Sequence, residues 1–298
     1  MIRSLRREDA GPLLDMWNAT ARFDPLNHGL LDEKVWEDPE FDEEAALVCE
    51  SDGQIAGFVM AVPCRAHDAS RGVIKLLAVA AGHRRQGIGS RLLESAETVM
   101  AERGARSIRV FESPPNYLTP GVDCRYSSAP HFLEKHSYSR IGQACNMTVD
   151  LESRSFDTAA EQAELAGRGI EIRRAGKADR DAVMALVEEH WPPWRQEVAN
   201  SLCNRPCTLH LALKGGEVIA FSAFDANNRD TGWFGPMGTA PAARKQGIGH
   251  VLLFRCLEDI AAQGHRYATI PWVDPVDFYS QCAGAAVSRI FSRYEKVL

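Results

Sequence analysis

Arg84-Arg85-Gln86-Gly87-Ile88-Gly89 returns 160 residues later as Arg244-Lys245-Gln246-Gly247-Ile248-Gly249. One R-x-x-G-x-G match in 298 residues is an unsurprising coincidence at ordinary glycine usage. Two that share Q-G-I-G, each after a short apolar stretch and before an amphipathic run, mark an internal duplication.

The flanking sequence repeats in the same order. Met1 to Leu5 and Ile170 to Ile172 alternate as short strands. Each precedes a helix, with Leu13, Leu14, Met16 and Trp17 on the buried face of one and Val183, Leu186 and Val187 on that of the other. Hairpins follow, turning through Asp52-Gly53 and through Lys214-Gly215-Gly216, where glycine supplies positive φ. After each glycine motif comes a helix of about four turns, judged by its 3.6-residue apolar stripe. A strand, a short helix and a final strand close each half. The spacing predicts β-α-β-β-β-α-β-α-β twice, a mixed α/β (α+β) fold of two domains at 1–150 and 169–298, joined by a linker over 151–168. The halves differ most at Ser113 to Tyr126, an insertion of about 14 residues present only in the first.

Composition narrows the function. The chain is 45% hydrophobic and 25% charged with a net charge of −6, an ordinary globular balance without the basic excess of a nucleic-acid protein. No apolar run reaches bilayer length, and MIRSLRREDA lacks the apolar stretch of a secretory signal, so a cytoplasmic protein without a membrane partner is expected. Eight scattered cysteines suit reduced core thiols, and Cys203-x3-Cys207 has no second pair to complete a zinc site, so no metal is expected.

A glycine-rich turn at a helix start is an anion trap. Backbone N–H groups approach an oxyanion without Cβ interference, unpaired at the helix end, and the dipole and flanking cations add positive potential. A phosphate-bearing ligand is the natural occupant. A dinucleotide fingerprint fails because Leu92 and Leu252 stand where its third glycine belongs. A P-loop fails for want of the lysine and its hydroxyl neighbour.

The two R/Q-x-x-G-x-G/A segments resemble motif A of the GNAT superfamily of N-acyltransferases, which use acyl-coenzyme A. Leu76-Leu77-Ala78-Val79 and Pro236-Met237-Gly238-Thr239 look like that family's fourth strand, and Phe278 to Ala285 is similar to its F-Y-x-K-x-G-F/A segment. The resemblance implies two tandem domains, each a twisted mixed sheet flanked by helices, with strands four and five splayed apart. It implies acetyl-CoA as cosubstrate, its pyrophosphate held by the amides of Gln86, Gly87, Ile88, Gly89 and Ser90 and of Gln246, Gly247, Ile248, Gly249 and His250. Arg84, Arg85, Arg244 and Lys245 would add charge. The pantetheine arm would pair with Leu77, Ala78 and Val79 or with Met237, Gly238 and Thr239.

Transfer to an amine of pKa about 10.4 requires deprotonation costing roughly 4 to 5 kcal/mol at pH 7, and the thiolate that leaves needs a proton donor. Through the resemblance Tyr279 falls on the general-acid position, whereas the first half has Phe132-Leu133 there. The expected catalytic half is therefore the second, with the first degenerate or regulatory. Tyr126 or Tyr117 in the insertion could replace the missing phenol. Candidate bases are Asp225, Asp230, Glu189, His190 and Asp274, or a water relay. Trp191-Pro192-Pro193-Trp194 reads as packing between domains before a wall of the acceptor pocket. Cys282 near Tyr279 has no histidine at an obvious position to activate it. The expected function is acetyl transfer from acetyl-CoA to a primary amine, on a small molecule or a protein, by direct attack in a ternary complex. The alternative is a non-catalytic acyl-CoA sensor, and weaker still a structural scaffold.

Overall fold

The computed structural model describes residues 1–64 and 70–298. The chain forms two compact units, residues 1–144 with 290–298 and residues 145–289. The sequence suggests contiguous halves; the structure instead assigns the last nine residues to the first unit. Its physical reason is strand length. β7 (Ser139–Asp150) and β13 (Ala286–Val297) are each 12 residues long, and each contributes one end to each unit.

In unit 1 the elements are β1 (Ile2–Ser4), α1 (Ala10–Thr20), α2 (His28–Lys34), β2 (Ala46–Ser51), β3 (Gln54–Pro63), β4 (Arg71–Val79), α3 (Ile88–Glu102), β5 (Ser107–Val110), β6 (Val122–Asp123) and α4 (Ser128–Lys135). β1 to β4 form an antiparallel meander. β5 runs parallel to β4, and Glu295 to Val297 of β13 add antiparallel to β5. One face of the sheet packs Phe58, Leu76 and Ala78 against Leu13, Leu14 and Trp17 of α1. The other packs Val59 and Ile74 against Leu92, Leu93 and Ala96 of α3. The apolar stripes read from the sequence are these two interfaces.

Unit 2 holds α5 (Ala159–Gly167), β8 (Ile170–Arg174), α6 (Arg180–His190), α7 (Arg195–Cys203), β9 (Leu209–Lys214), β10 (Glu217–Phe224), β11 (Phe234–Thr239), α8 (Ile248–Ala262), β12 (Tyr267–Ile270) and α9 (Val276–Ala283). Its strands run β11-β10-β9-β8, and β12 pairs with Met147 to Asp150. The stretch expected as a linker is integral here: α5 buries Leu165, and Phe156 packs edge-on to Phe254 at 5.2 Å between ring centres.

A second repeat accompanies the glycine motif. Arg3 grips Asp9 with a two-pronged guanidinium contact at 2.7 and 2.8 Å, and Arg173 grips Asp179 at the same distances. Each aspartate also accepts a backbone N–H at the entrance of the following helix, from Arg6 at 2.8 Å and from Gly176 at 2.7 Å. The pairs lie 170 residues apart, so the two sequences register at both ends of the repeat.

Candidate active site

The two glycine loops have the same backbone. Arg85 and Gly87 have φ of 63° and 79°, and Lys245 and Gly247 have 62° and 83°. Left-handed backbone of this kind costs a side chain energy and glycine none, which explains Gly87 and Gly247 as the N-cap residues of α3 and α8. Side chains brace both turns alike. Arg84 Nε donates to Val79 O at 3.1 Å and Arg244 Nε to Thr239 O at 3.2 Å, while Gln86 and Gln246 reach back to Gly82 O and Ala242 O. The amides of Ile88, Gly89 and Ser90, and of Ile248, Gly249 and His250, belong to the first helical turn and have no acceptor inside the helix. Above the first loop Ser90 Oγ lies 2.9 Å from His136 Nε2, and above the second His250 packs on Phe254 with ring centres 4.1 Å apart.

The strand before each loop parts from its parallel neighbour. β4 and β5 are in register from Arg71–Ser107 to Ile74–Val110. At Lys75 the β3–β4 register slips by one residue, and beyond it Leu76 to Val79 pair with β3 alone among the described residues. In unit 2 a parallel bridge joins Trp233 to Thr269 before β11 and β12 separate. A strand edge freed in this way offers backbone donors and acceptors to an extended amide-bearing chain.

In unit 1 the parted strand opens on a cavity of about 450 Å³. Leu77, Ala78 and Val79 line it, with Arg84, Arg85, Gly87, Gly89 and Ser90 from the loop. Arg84, Arg85, Lys135 and His136 give its lining basic groups, and Asp24, Asp123 and Tyr126 also line it. Asp123 is engaged by Arg125 at 2.7 and 2.9 Å. Tyr126 donates its hydroxyl to Asp24 Oδ2 at 2.8 Å and accepts from Phe23 N at 3.1 Å. The insertion that distinguishes the halves thus supplies the cavity wall. It is fixed by a buried polar cluster in which Asn116 donates to Glu33 O at 2.7 Å and to Asp38 Oδ2 at 3.2 Å, and Lys34 donates to Asn116 Oδ1 at 2.9 Å. Lys75, at the register slip, pairs with Asp38. Tyr117 is buried, whereas Tyr126 faces the cavity.

In unit 2, Tyr279 on α9 packs edge-on to Phe278 and Phe234, with ring centres at 5.1 and 6.1 Å. Burial pushes its hydroxyl up to about 12. Among the described residues it makes no hydrogen bond to any of the expected bases. Asp225 is buried and accepts from Gln263 Nε2 at 2.8 Å, burial raising its carboxyl above the usual range. Asp230, Glu189 and Asp274 are exposed, and His190 stacks edge-on to Trp191. Trp191 and Trp194 pack inside unit 2 against Phe221 of β10. Burial raises the thiol of the half-buried Cys282, which disfavours the reactive thiolate.

The model of the acetyltransferase (GNAT) family matches residues 13–117 and 179–282, once in each unit. The chain belongs to the GNAT family. It is a tandem member, with acyl-CoA-dependent acetyl transfer as the family's general activity. Among solved structures it resembles the GCN5-related glucosamine N-acetyltransferase region of a fungal multi-domain GH3 β-N-acetylglucosaminidase, with TM-score 0.82 and 20% identity over 99% of this chain. The chain spans 38% of the length of that protein. A GCN5-related N-acetyltransferase from Sphaerobacter thermophilus gives TM-score 0.75 at 17% identity, covering 100% of this chain and 95% of that one. A tandem GNAT protein from the clavulanic acid biosynthesis pathway gives 0.70 at 15%, covering 100% and 98%. At these identities the likeness is one of fold. No protein of curated function matches the sequence significantly. No helix among the described residues is long and apolar enough to cross a membrane.

Proposed function

We propose that the protein transfers an acetyl group from acetyl-CoA to a primary amine by direct attack in a ternary complex, and that unit 1 carries the reaction. The observation that supports this reading is the cavity bounded by the first glycine loop, the freed edge of β4 and the Asp24–Tyr126 pair. The residues present fit acetyl-CoA: a Cβ at Gly89 would come within 3.4 Å of Val79 and Phe132, so the helix start lies close against the strand end. Bound there, acetyl-CoA supplies the thioester.

The chain's own residues then act as follows. First-turn amides of α3 and the flanking Arg84 and Arg85 hold the pyrophosphate, and Leu77 to Val79 align the pantetheine arm. Asp24 holds the acceptor's ammonium group, which loses its proton to water before the nitrogen attacks. The C–N bond forms and the C–S bond breaks; the phenol of Tyr126 gives its proton to the sulfur and is restored by the second proton that the attacking nitrogen releases as it becomes an amide. Tyr279 is left with a packing role. The setting is the cytoplasm and the acceptor a small-molecule or protein amine, with neither nucleic acid nor membrane as partner.

Thiol release from acetyl-CoA across a panel of primary amines tests the reading, using Tyr126→Phe and Tyr279→Phe. The expected result is a fall of about 10²-fold in kcat for Tyr126→Phe and little change for Tyr279→Phe. The reverse pattern places transfer in unit 2. Binding of acetyl-CoA without turnover of any amine supports the second reading, a non-catalytic acyl-CoA sensor.

A further inference from the structure

We infer that Trp191 fills in unit 2 the space that is a cavity in unit 1, and so closes unit 2 to acyl transfer. The repeat itself identifies the position. α1 and α6 are both 11 residues long and begin at the matched Arg3–Asp9 and Arg173–Asp179 forks. The residue after each helix closes it in the same way: Ala21 N donates to Trp17 O at 2.6 Å and Trp191 N to Val187 O at 2.7 Å. Ala21 and Trp191 are therefore the same place in the fold. On the facing strand, Ala78 pairs with Phe58 and Gly238 with Phe221, six residues before the matching Arg84 and Arg244.

What fills that place differs. In unit 1, Ala21 and Ala78 both line the cavity. In unit 2 the six-membered ring of Trp191 lies on Gly238 itself, so that a Cβ there would sit 2.7, 2.8 and 3.0 Å from three ring carbons. The indole and the glycine are fitted to one another. The ring is also held by two neighbours: Trp194 stacks on it at 5.6 Å and 16°, and Phe221 meets it edge-on at 5.8 Å. Trp194 N donates to Trp191 O at 2.9 Å, closing the turn through Pro192 and Pro193 that fixes the backbone. Gly238 is one of three strand residues that the family resemblance aligns with the pantetheine arm, and this stacked indole covers it. Unit 2 thus keeps the loop and loses the room beside it.

The inference goes beyond the activity proposed for unit 1 and has a readout that needs no ligand. In the full-length protein, Gly238→Ala is expected to lower Tm by several degrees when Trp191 is present and by much less alongside Trp191→Ala or the milder Trp191→Leu, because only the indole meets the new methyl. Equal losses in all three backgrounds overturn the seating of Trp191 on Gly238. The second measurement is calorimetric titration of acetyl-CoA into Gly87→Asp, which sets a carboxylate in the loop of unit 1, and into Gly87→Asp with Trp191→Ala. A gain of tenfold or more in affinity on removing the indole supports the inference. Identical affinities in the two proteins overturn it, whatever the turnover in unit 1 proves to be.

Discussion

Lys34 and Asn116 are separated by 82 residues in sequence and joined by a 2.9 Å hydrogen bond inside unit 1. The bond ties the insertion peculiar to the first half to the end of α2, and through Asp38 to Lys75 at the point where β4 leaves β5. Removing the amide leaves a buried ammonium and a buried carboxylate each short of a partner. Asn116→Ala is expected to cost about 2–4 kcal/mol of stability, measured by urea unfolding, and to lower turnover by releasing the segment that carries Tyr126.

The two glycine loops predict opposite outcomes for the same substitution. A Cβ at Gly87 meets no neighbouring atom within 4 Å, so the change acts through the backbone strain at φ 79° and the charge set against a phosphate. Gly87→Asp is expected to abolish acetyl transfer. Gly247→Asp, with the same geometry in unit 2, is expected to leave kcat within about threefold, an effect under about 0.7 kcal/mol. Steady-state kinetics with acetyl-CoA decides between them.

Burial lowers the Lys34 ammonium to about 7, the nearby Glu33 only partly opposing it. Below about pH 7 the group is charged in both the folded and the unfolded chain. Between there and its unfolded pKa near 10.4 the unfolded chain binds more protons. The contribution of Lys34 to stability therefore rises with pH across that window, by at most about 1.4 kcal/mol per pH unit. Urea midpoints at pH 7 and pH 9 should differ more in the wild-type protein than in Lys34→Met.

Residues 290–298 complete unit 1 through more than backbone pairing. Lys296 Nζ meets the nearly buried Glu97 at 2.7 Å, and Arg293 Nε meets the buried Glu112 at 2.5 Å. A fragment of residues 1–150 leaves both carboxylates without these partners and β5 without its antiparallel neighbour. It is expected to show strand and helix by far-UV circular dichroism but no cooperative unfolding transition.

Local pattern carried much of this architecture. The paired loops, the hairpins through Asp52-Gly53 and Gly215-Gly216, and the apolar stripes of α1, α3, α6 and α8 are periodic signals, and each appears as an element. α2 and α7, seven and nine residues long, lie outside the expected element order and owe their existence to tertiary packing. A signal for α2 was present in Asn27, whose side chain caps the helix by accepting from Leu30 N at 2.7 Å. The assignment of residues 290–298 to unit 1 is not legible in the sequence, since alternation along β13 gives the face of each residue and not the identity of the neighbouring strand. The contrast between Ala21 and Trp191 was in the sequence too. It became visible only when the Arg-Asp forks aligned the two helices, because the glycine motif alone sets an offset ten residues different.

The membership of the last nine residues in the first unit also imposes an order on biosynthesis. The sheet of unit 1 lacks the strand that pairs with β5 when residue 144 leaves the ribosome, and gains it only once residues 290–298 have been made. At about 5–20 residues per second that interval is on the order of 10–30 s. During it the edge of β5 is an open template within a nascent chain, and the intervening residues are those of unit 2. Codon-level changes that slow translation between the two units would lengthen that exposure without altering a single side chain.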